Sequence, residues 1–304
     1  MPANRQPRTM DNPYYDWSPI STRAPIRWPG SARVALCVIV NLEHMDWLPP
    51  EGSFVAPSAR RRRPYPAVTD IHETSYHDYG NRVGAFRVMR VLDRYGIRAT
   101  AAMDAGVATG CPALVRECRK RSWEFIGHGL ALSQMITERM PEVQERQHIQ
   151  RALEAVQQAS GETPQGWIGM DCGESTRTVR LLAEAGIRYV CDWPNDEQPY
   201  RMKVPAGQMV SLPIAVELDD VFTHTVRSIP IQRYATMITE AFDRLYADGA
   251  VSGRLLVLNL HPTRIGQPFR IKYLDLALGH ITRHQGVWVA TGREIVDWYV
   301  NQTE

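Results

Sequence analysis

This sequence lacks most of the features that would send a chain to a large partner. Its 304 residues hold 35 Lys plus Arg against 33 Asp plus Glu, a net charge of +2. No excess of one sign draws it to nucleic acid or to an anionic membrane surface. No apolar run approaches the ~20 residues of a membrane span. The opening stretch "MPANRQPRTMDNPYYDWSPI" is polar and proline-rich where an export signal would carry an apolar core. The five cysteines (Cys37, Cys111, Cys118, Cys172, Cys191) are odd in number, scattered and without a CxxC pair, so neither a disulfide framework nor a cysteine zinc site is indicated. A soluble cytoplasmic protein is expected, with neither nucleic acid nor membrane as partner. The one run of like charge, Arg60 to Arg63 in "VAPSARRRRPYPAV", lies among prolines and reads as a solvated loop.

What is present is an alternation of two periods. "ARVALCVIVNLEH" is apolar and β-branched without helical spacing, whereas "GAFRVMRVLDRYGI" places Phe86, Met89, Val91, Leu92 and Tyr95 at helical spacing. The unit repeats as "RATAAMD" with "PALVRECRKR", "WEFIGHG" with "EVQERQHIQRALEAVQQAS", and "GWIGMD" with "STRTVRLLAEAGI", which Gly186 ends as a C-cap. Strands follow at "RYVCDW", "MVSLPIA", "LLVLNLH" and "VWVATG", with helices at "IQRYATMITEAFDRLYADG" and "RIKYLDLALGHITRH". Seven or eight strands alternating with helices predict a parallel sheet in a closed or nearly closed barrel. The expected organisation is an N-terminal arm over 1–30 and one catalytic (β/α) barrel domain over 31–304.

Reactive groups in such barrels stand at the C-terminal ends of the strands. Here those ends carry Asn41, Glu43, His44 and Asp46; His128; Asp171 and Glu174; Asp192 and Asp196; Asn259 and His261. Any one can be a cap or a structural hydrogen-bonding group, but five polar strand ends together predict a converging site.

The order of these residues carries a resemblance. "ETSYHDYGNRVGAFR", "SWEFIGHG", "CDWPNDEQPY" and "LNLHPTRIGQPFR" resemble the polysaccharide deacetylase superfamily, more closely its branch of allantoinase-type enzymes and cyclic imidases. The resemblance covers roughly residues 12 to 300 and implies an α/β fold, a distorted (β/α) barrel of the NodB type. It also implies a homo-oligomer, and hydrolysis of a non-peptide C–N bond in a small cyclic amide, imide or ureide. The alternative is a metal-dependent N-deacetylase of an N-acetylated sugar or peptidoglycan.

The departures from that family are informative. Sugar deacetylases carry a TFDDG-like strand end and a His-x-x-x-His pair that build an open metal site. Here the first strand ends in "NLEH", and the fourth residue after His128 is Leu132. A catalytic zinc generally needs three protein ligands, of which His128 alone is secure. Neighbours on a regular strand face opposite ways, so Glu43 and His44 cannot both aim inward. No cofactor is therefore expected; a divalent metal such as zinc would have to add Glu43, His44 or Asp46 to His128, with Glu43 and His128 the first candidates. By the same resemblance Glu43 is the expected base and His261 the expected acid or oxyanion donor, on strands expected to face one another across the barrel mouth. Arg82, His128, Asp192, Trp193, Asp196 and His224 are the expected substrate-binding residues, with Glu43 and His128 also able to act as a water-activating dyad.

Overall fold

The computed structural model describes residues 10, 12–59 and 70–303; the arginine run at 60–63 lies outside them. Elements alternate as the sequence predicts. After β1 (Val34–Leu42) come α1 (Ile71–Tyr79), a π-helical turn at Gly80–Gly84, α2 (Ala85–Arg94), β2 (Thr100–Met103), α3 (Ala105–Gly110), α4 (Pro112–Lys120) and β3 (Glu124–Gly127). The chain continues through α5 (Glu142–Ser160), β4 (Gly166–Trp167), α6 (Thr178–Glu184), β5 (Tyr189–Val190), β6 (Tyr200–Met202) and β7 (Met209–Ser211). It ends with α7 (Tyr234–Asp248), β8 (Arg254–Leu260), α8 (Ile271–Ile281), β9 (Val287–Val289) and α9 (Gly292–Thr303). None of the described helices is long and apolar enough to cross a membrane.

The strands form one curled sheet in the order β6-β7-β5-β4-β3-β2-β1-β8, with β9 also pairing β1. Every pairing is parallel except β6 with β7. Between β7 and β8 there is no ladder among the described residues, only isolated bonds such as Ala215 N to Val257 O at 3.1 Å. The result is a distorted (β/α) barrel, open along one seam.

Side-chain parity explains how this barrel makes a site. Along β1, Val34, Leu36, Val38, Val40 and Leu42 pack outward beneath α2, α4, α7 and α8, while Ala35, Cys37 and Ile39 fill the interior with Leu255 and Val257 of β8. Successive residues of a strand face opposite sides. Continuing the inward row therefore brings up Asn41 and Glu43 on β1, and Asn259 and His261 on β8. The interior is apolar for three layers and turns polar at the C-terminal mouth.

The arm packs on its own barrel. The Tyr14 and Tyr15 rings lie 5.0 and 5.9 Å from the Trp193 ring. Trp28, 1% exposed, donates its indole N–H to Arg254 O and stacks with Trp288 and Trp298.

Candidate active site

Glu43 is the centre of the mouth. Its Oε1 lies 3.3 Å from His128 Nε2 and 3.8 Å from His261 Nε2, and the carboxylate is 7% exposed. β1 and β8 are hydrogen-bonded neighbours, with Val40 level with Leu260. Glu43 and His261 thus stand side by side rather than facing across the barrel as expected from the sequence, because the sheet order makes the first and eighth strands adjacent.

Each imidazole is oriented by its other nitrogen. His128 Nδ1 donates to Ile168 O at 2.6 Å, leaving Nε2 aimed at Glu43. His261 Nδ1 donates to Asp220 Oδ1 at 2.7 Å, and the same carboxylate accepts the backbone N–H groups of His261 and Ile265. Asp220 is fully buried and anchors the His261 turn. That turn is also pressed from outside: a Cβ at Gly84 would meet Pro262 O at 2.2 Å and one at Gly80 would meet Thr263 Oγ1 at 2.5 Å. The two glycines of "YGNRVG" allow the π-helical turn to approach the loop that carries His261.

Burial alone would raise the Glu43 pKa, but the His261 charge, the His128 hydrogen bond and the more distant His77 together bring it down to about 2. Burial alone would lower that of His261, but Asp219, Glu43 and Asp220 raise it to about 10. The resting pair is a buried carboxylate beside an imidazolium. Asp192 and Glu174, by contrast, lie close together with burial as the main influence, and both are raised, Asp192 to about 6.

A cavity of about 290 Å³ opens over the histidines. Asn41, His128, Asp219, Asn259 and His261 give it a polar floor, and Ile168, Ile214, Val216, Val221 and Phe222 an apolar wall.

Several expected substrate ligands lie elsewhere. Arg82 is exposed on the π-helical turn, and Glu73, a candidate ionic partner for it, instead pairs with His77 at 3.3 Å. Asp192 is turned to the neighbouring loop, where its Oδ1 accepts Gly169 N at 2.7 Å. Trp193 packs against Tyr14 and Tyr15 of the arm. Asp196 is held in an ion pair with Arg23. His224 donates Nδ1 to Ile229 O and packs edge-on to Tyr234. None of these five lines the cavity. Asp219 and Asp220, which do the anchoring, are not among the residues expected from the sequence; the signal for them is the acid pair in "VELDDVF" just beyond a predicted strand.

Could these residues hold the metal of the sugar deacetylases? Leu132, where the second histidine would stand, is fully buried in an apolar group with Met45, Ala56 and Met170. The His44 ring abuts Gly106, away from the site, as strand parity requires. Asp219, Asp220 and His261 do bring ligand atoms within 4.8 Å of one another. Their atoms are committed, however. Asp219 accepts Phe222 N and Asn259 Nδ2, Asp220 accepts two backbone N–H groups and His261 Nδ1. Carboxylates whose oxygens already accept two and three N–H donors, beside an imidazole whose Nδ1 carries a hydrogen, make a hydrogen-bonded anchor, which does not fit an open three-ligand metal site.

Comparison with known proteins agrees with this fold. Residues 75–190 match the family model for polysaccharide deacetylase. A putative polysaccharide deacetylase of Schizosaccharomyces pombe is 23% identical over 88% of this chain and 90% of its own. The crystal structure of a probable polysaccharide deacetylase from Pseudomonas aeruginosa PAO1 has a TM-score of 0.82 and 25% identity, covering 92% of this chain and 95% of that one. That of PuuE allantoinase also has a TM-score of 0.82, with 26% identity, covering 93% of this chain and 96% of that one. Fold and site define an enzyme of the class that hydrolyses carbon–nitrogen bonds other than peptide bonds.

Proposed function

We propose that the enzyme opens a small cyclic amide, imide or ureide by attack of water on the ring carbonyl. The observation that carries this reading is Glu43 held between His128 and His261, both of which line the cavity. A volume of about 290 Å³ suits a five- or six-membered ring rather than a length of polysaccharide, being at the small end of ligand pockets. Resemblance to PuuE allantoinase supports the same substrate class.

Glu43 is the candidate base. Held at about 2 it is weak at rest, but its strength is tied to that of its neighbour. As water adds to the ring carbonyl, Glu43 takes its proton and the new C–O bond forms, while His261 begins to pass its own proton toward the ring nitrogen; the weakening of that adjacent positive charge makes Glu43 more basic as it is needed. The C–N bond of the tetrahedral intermediate then breaks as the nitrogen takes the His261 proton. The ring opens to an acid and an amine, amide or urea according to the ring, and a proton returning from Glu43 to neutral His261, 3.8 Å away, restores the site. His128, whose Nδ1–H is fixed by Ile168 O, holds Nε2 3.3 Å from the carboxylate and orients it.

The test is to offer the purified enzyme cyclic imides and ureides and, in parallel, N-acetylated sugar oligomers. Turnover of the rings, retained after exhaustive chelation, is expected. Deacetylation of the oligomers, with stoichiometric zinc lost and restored together with activity, would overturn the reading and move Glu43 and His128 to a metal.

A further inference from the structure

The cavity floor contains a chain of amides whose direction is fixed from one end. Asp219 uses Oδ1 to accept Phe222 N at 2.8 Å and Oδ2 to accept Asn259 Nδ2 at 2.7 Å. An ionised carboxylate can only accept, so the amide group of Asn259 must present its nitrogen to Asp219 and its oxygen the other way. That oxygen accepts Asn41 Nδ2 at 2.7 Å, and the second hydrogen of Asn41 Nδ2 goes to Leu260 O at 3.1 Å. Flipping Asn259 would set its oxygen against a carboxylate. Flipping Asn41 would set its oxygen against two other oxygens. The Asn41 Oδ1 is consequently an acceptor by construction, and it is the end of the chain.

It is also unmatched. Asn41 lines the cavity and is 2% exposed, and its Oδ1 has no hydrogen-bond donor among the described residues. A buried acceptor without a donor is costly, and native proteins seldom leave one without a reason. The amide stands two residues before Glu43 on the inward row that continues Ala35, Cys37 and Ile39 of β1, so one ring can reach both side chains.

We infer that Asn41 Oδ1 accepts a ring N–H of the substrate other than that of the scissile bond, so that the enzyme selects rings carrying this second N–H over isosteric rings with oxygen in that place. This rests on the cyclic-amide reading proposed above and adds to it a selecting residue. A ring oxygen would place a second acceptor against Asn41 Oδ1 and leave both without a hydrogen. Sites that hydrogen-bond a substrate N–H or O–H reject the analogue lacking it for this reason.

The experiment uses a matched pair, hydantoin and oxazolidine-2,4-dione, in which one ring N–H is exchanged for oxygen. For the wild-type enzyme, kcat/KM is expected to favour the N–H ring by roughly ten- to a hundredfold after correction for spontaneous hydrolysis, with inhibition constants for the pair differing in the same direction. In Asn41→Leu the preference is expected to collapse to within about threefold, whatever happens to the overall rate, since general damage to the floor would lower both rates together. Asn41→Ser, a smaller change, is measured alongside, and the wild-type inhibition constants need no variant at all. Equal wild-type affinity for the two rings, or a preference unchanged in a folded Asn41 variant, would overturn the inference while leaving cyclic-amide hydrolysis standing. Failure to turn over any cyclic amide, imide or ureide would instead remove the reading on which it rests.

Discussion

Two buried carboxylates on the inward face of the barrel, one at each end, behave oppositely. Glu124, at the start of β3, accepts from Tyr189 Oη at 2.7 Å, Thr100 Oγ1 at 3.0 Å and the backbone N–H of Arg293 at 3.0 Å. Glu43, beyond the end of β1, faces two imidazoles. Both side chains are almost fully shielded from water. Burial raises the Glu124 pKa, and its hydrogen-bond donors offset this only in part; the Glu43 pKa falls to about 2. Depth is therefore not what sets the charge state; positive partners are. The lower acid is a plug tying β2, β3, β5 and the N-terminus of α9 together. The upper one rests ionised beneath a cavity.

The sharpest way to break this contrast is to neutralise each acid in turn. Glu43→Gln is expected to keep the fold and lower kcat/KM by roughly two to four orders of magnitude, the usual worth of a positioned acid or base. Glu124→Gln is expected to leave kcat/KM within about threefold and to lower stability by roughly 1–3 kcal/mol through mismatched buried hydrogen bonds. Paired measurements of turnover and urea denaturation decide it. A Glu43→Gln enzyme that still turns over normally would make the upper acid structural like the lower one.

Removing the positive partner should convert the upper acid toward the lower. His261→Asn takes away the largest charge that lowers Glu43, so turnover is expected to fall by roughly two to three orders of magnitude with loss of the acid. The remaining activity should show an acid limb at higher pH than in the wild type, whose Glu43 stays ionised down to about 2. The signs for the wild type follow from linkage. His261, raised from 6.5 to about 10, contributes stability that is complete below 6.5 and is lost as pH rises through about 10. Glu43, depressed from 4.5, contributes stability that is complete above 4.5 and is lost as pH falls through about 2. A pH–rate profile with its acid limb unmoved in His261→Asn would show that the histidine does not control the carboxylate.

The contrast also separates what the sequence makes legible from what it hides. Inward parity is a property of the chain, so the row Ala35, Cys37, Ile39, Asn41, Glu43 and the row Leu255, Val257, Asn259, His261 predict both the core and the polar mouth. The exclusion of His44 follows from the same rule. Strand order is not local. It makes β1 and β8 neighbours, and no pattern within either strand reveals that Glu43 meets His261 edge to edge. Arg82 stands in a promising motif, yet which side of a π-helical turn it takes depends on Gly80 and Gly84 pressing against Pro262 and Thr263. Asp192 and Asp196 occupy a strand end, but the arm and the β4 loop claim them. β6 leaves no readable signal because three residues after a proline, paired antiparallel at an edge, give too short a pattern. Asp219 and Asp220 belong to a loop whose position is set by the open seam of the sheet.

The smallest effect concerns a group that positions the mouth without touching the cavity. His148 of α5, 5% exposed, uses Nε2 to accept the backbone N–H of Leu130 at 3.2 Å, two residues beyond His128. The turn there is tight: Gly129 has φ +85°, and a Cβ on it would lie 3.1 Å from that same nitrogen. An imidazole can accept at Nε2 only while that nitrogen is unprotonated, and burial, helped by Arg151, lowers its pKa from 6.5 to about 4. Between those values the unfolded chain binds the proton and the folded one does not, so stability is complete above 6.5 and declines as pH falls toward 4. His148→Gln keeps an acceptor but cannot titrate. It is expected to change stability at pH 8 by about 1 kcal/mol or less, to leave kcat/KM within a fewfold, and to flatten the loss of stability between pH 6.5 and 4. Urea midpoints measured across that range for both proteins test this, and parallel curves would show that His148 is not the group that titrates.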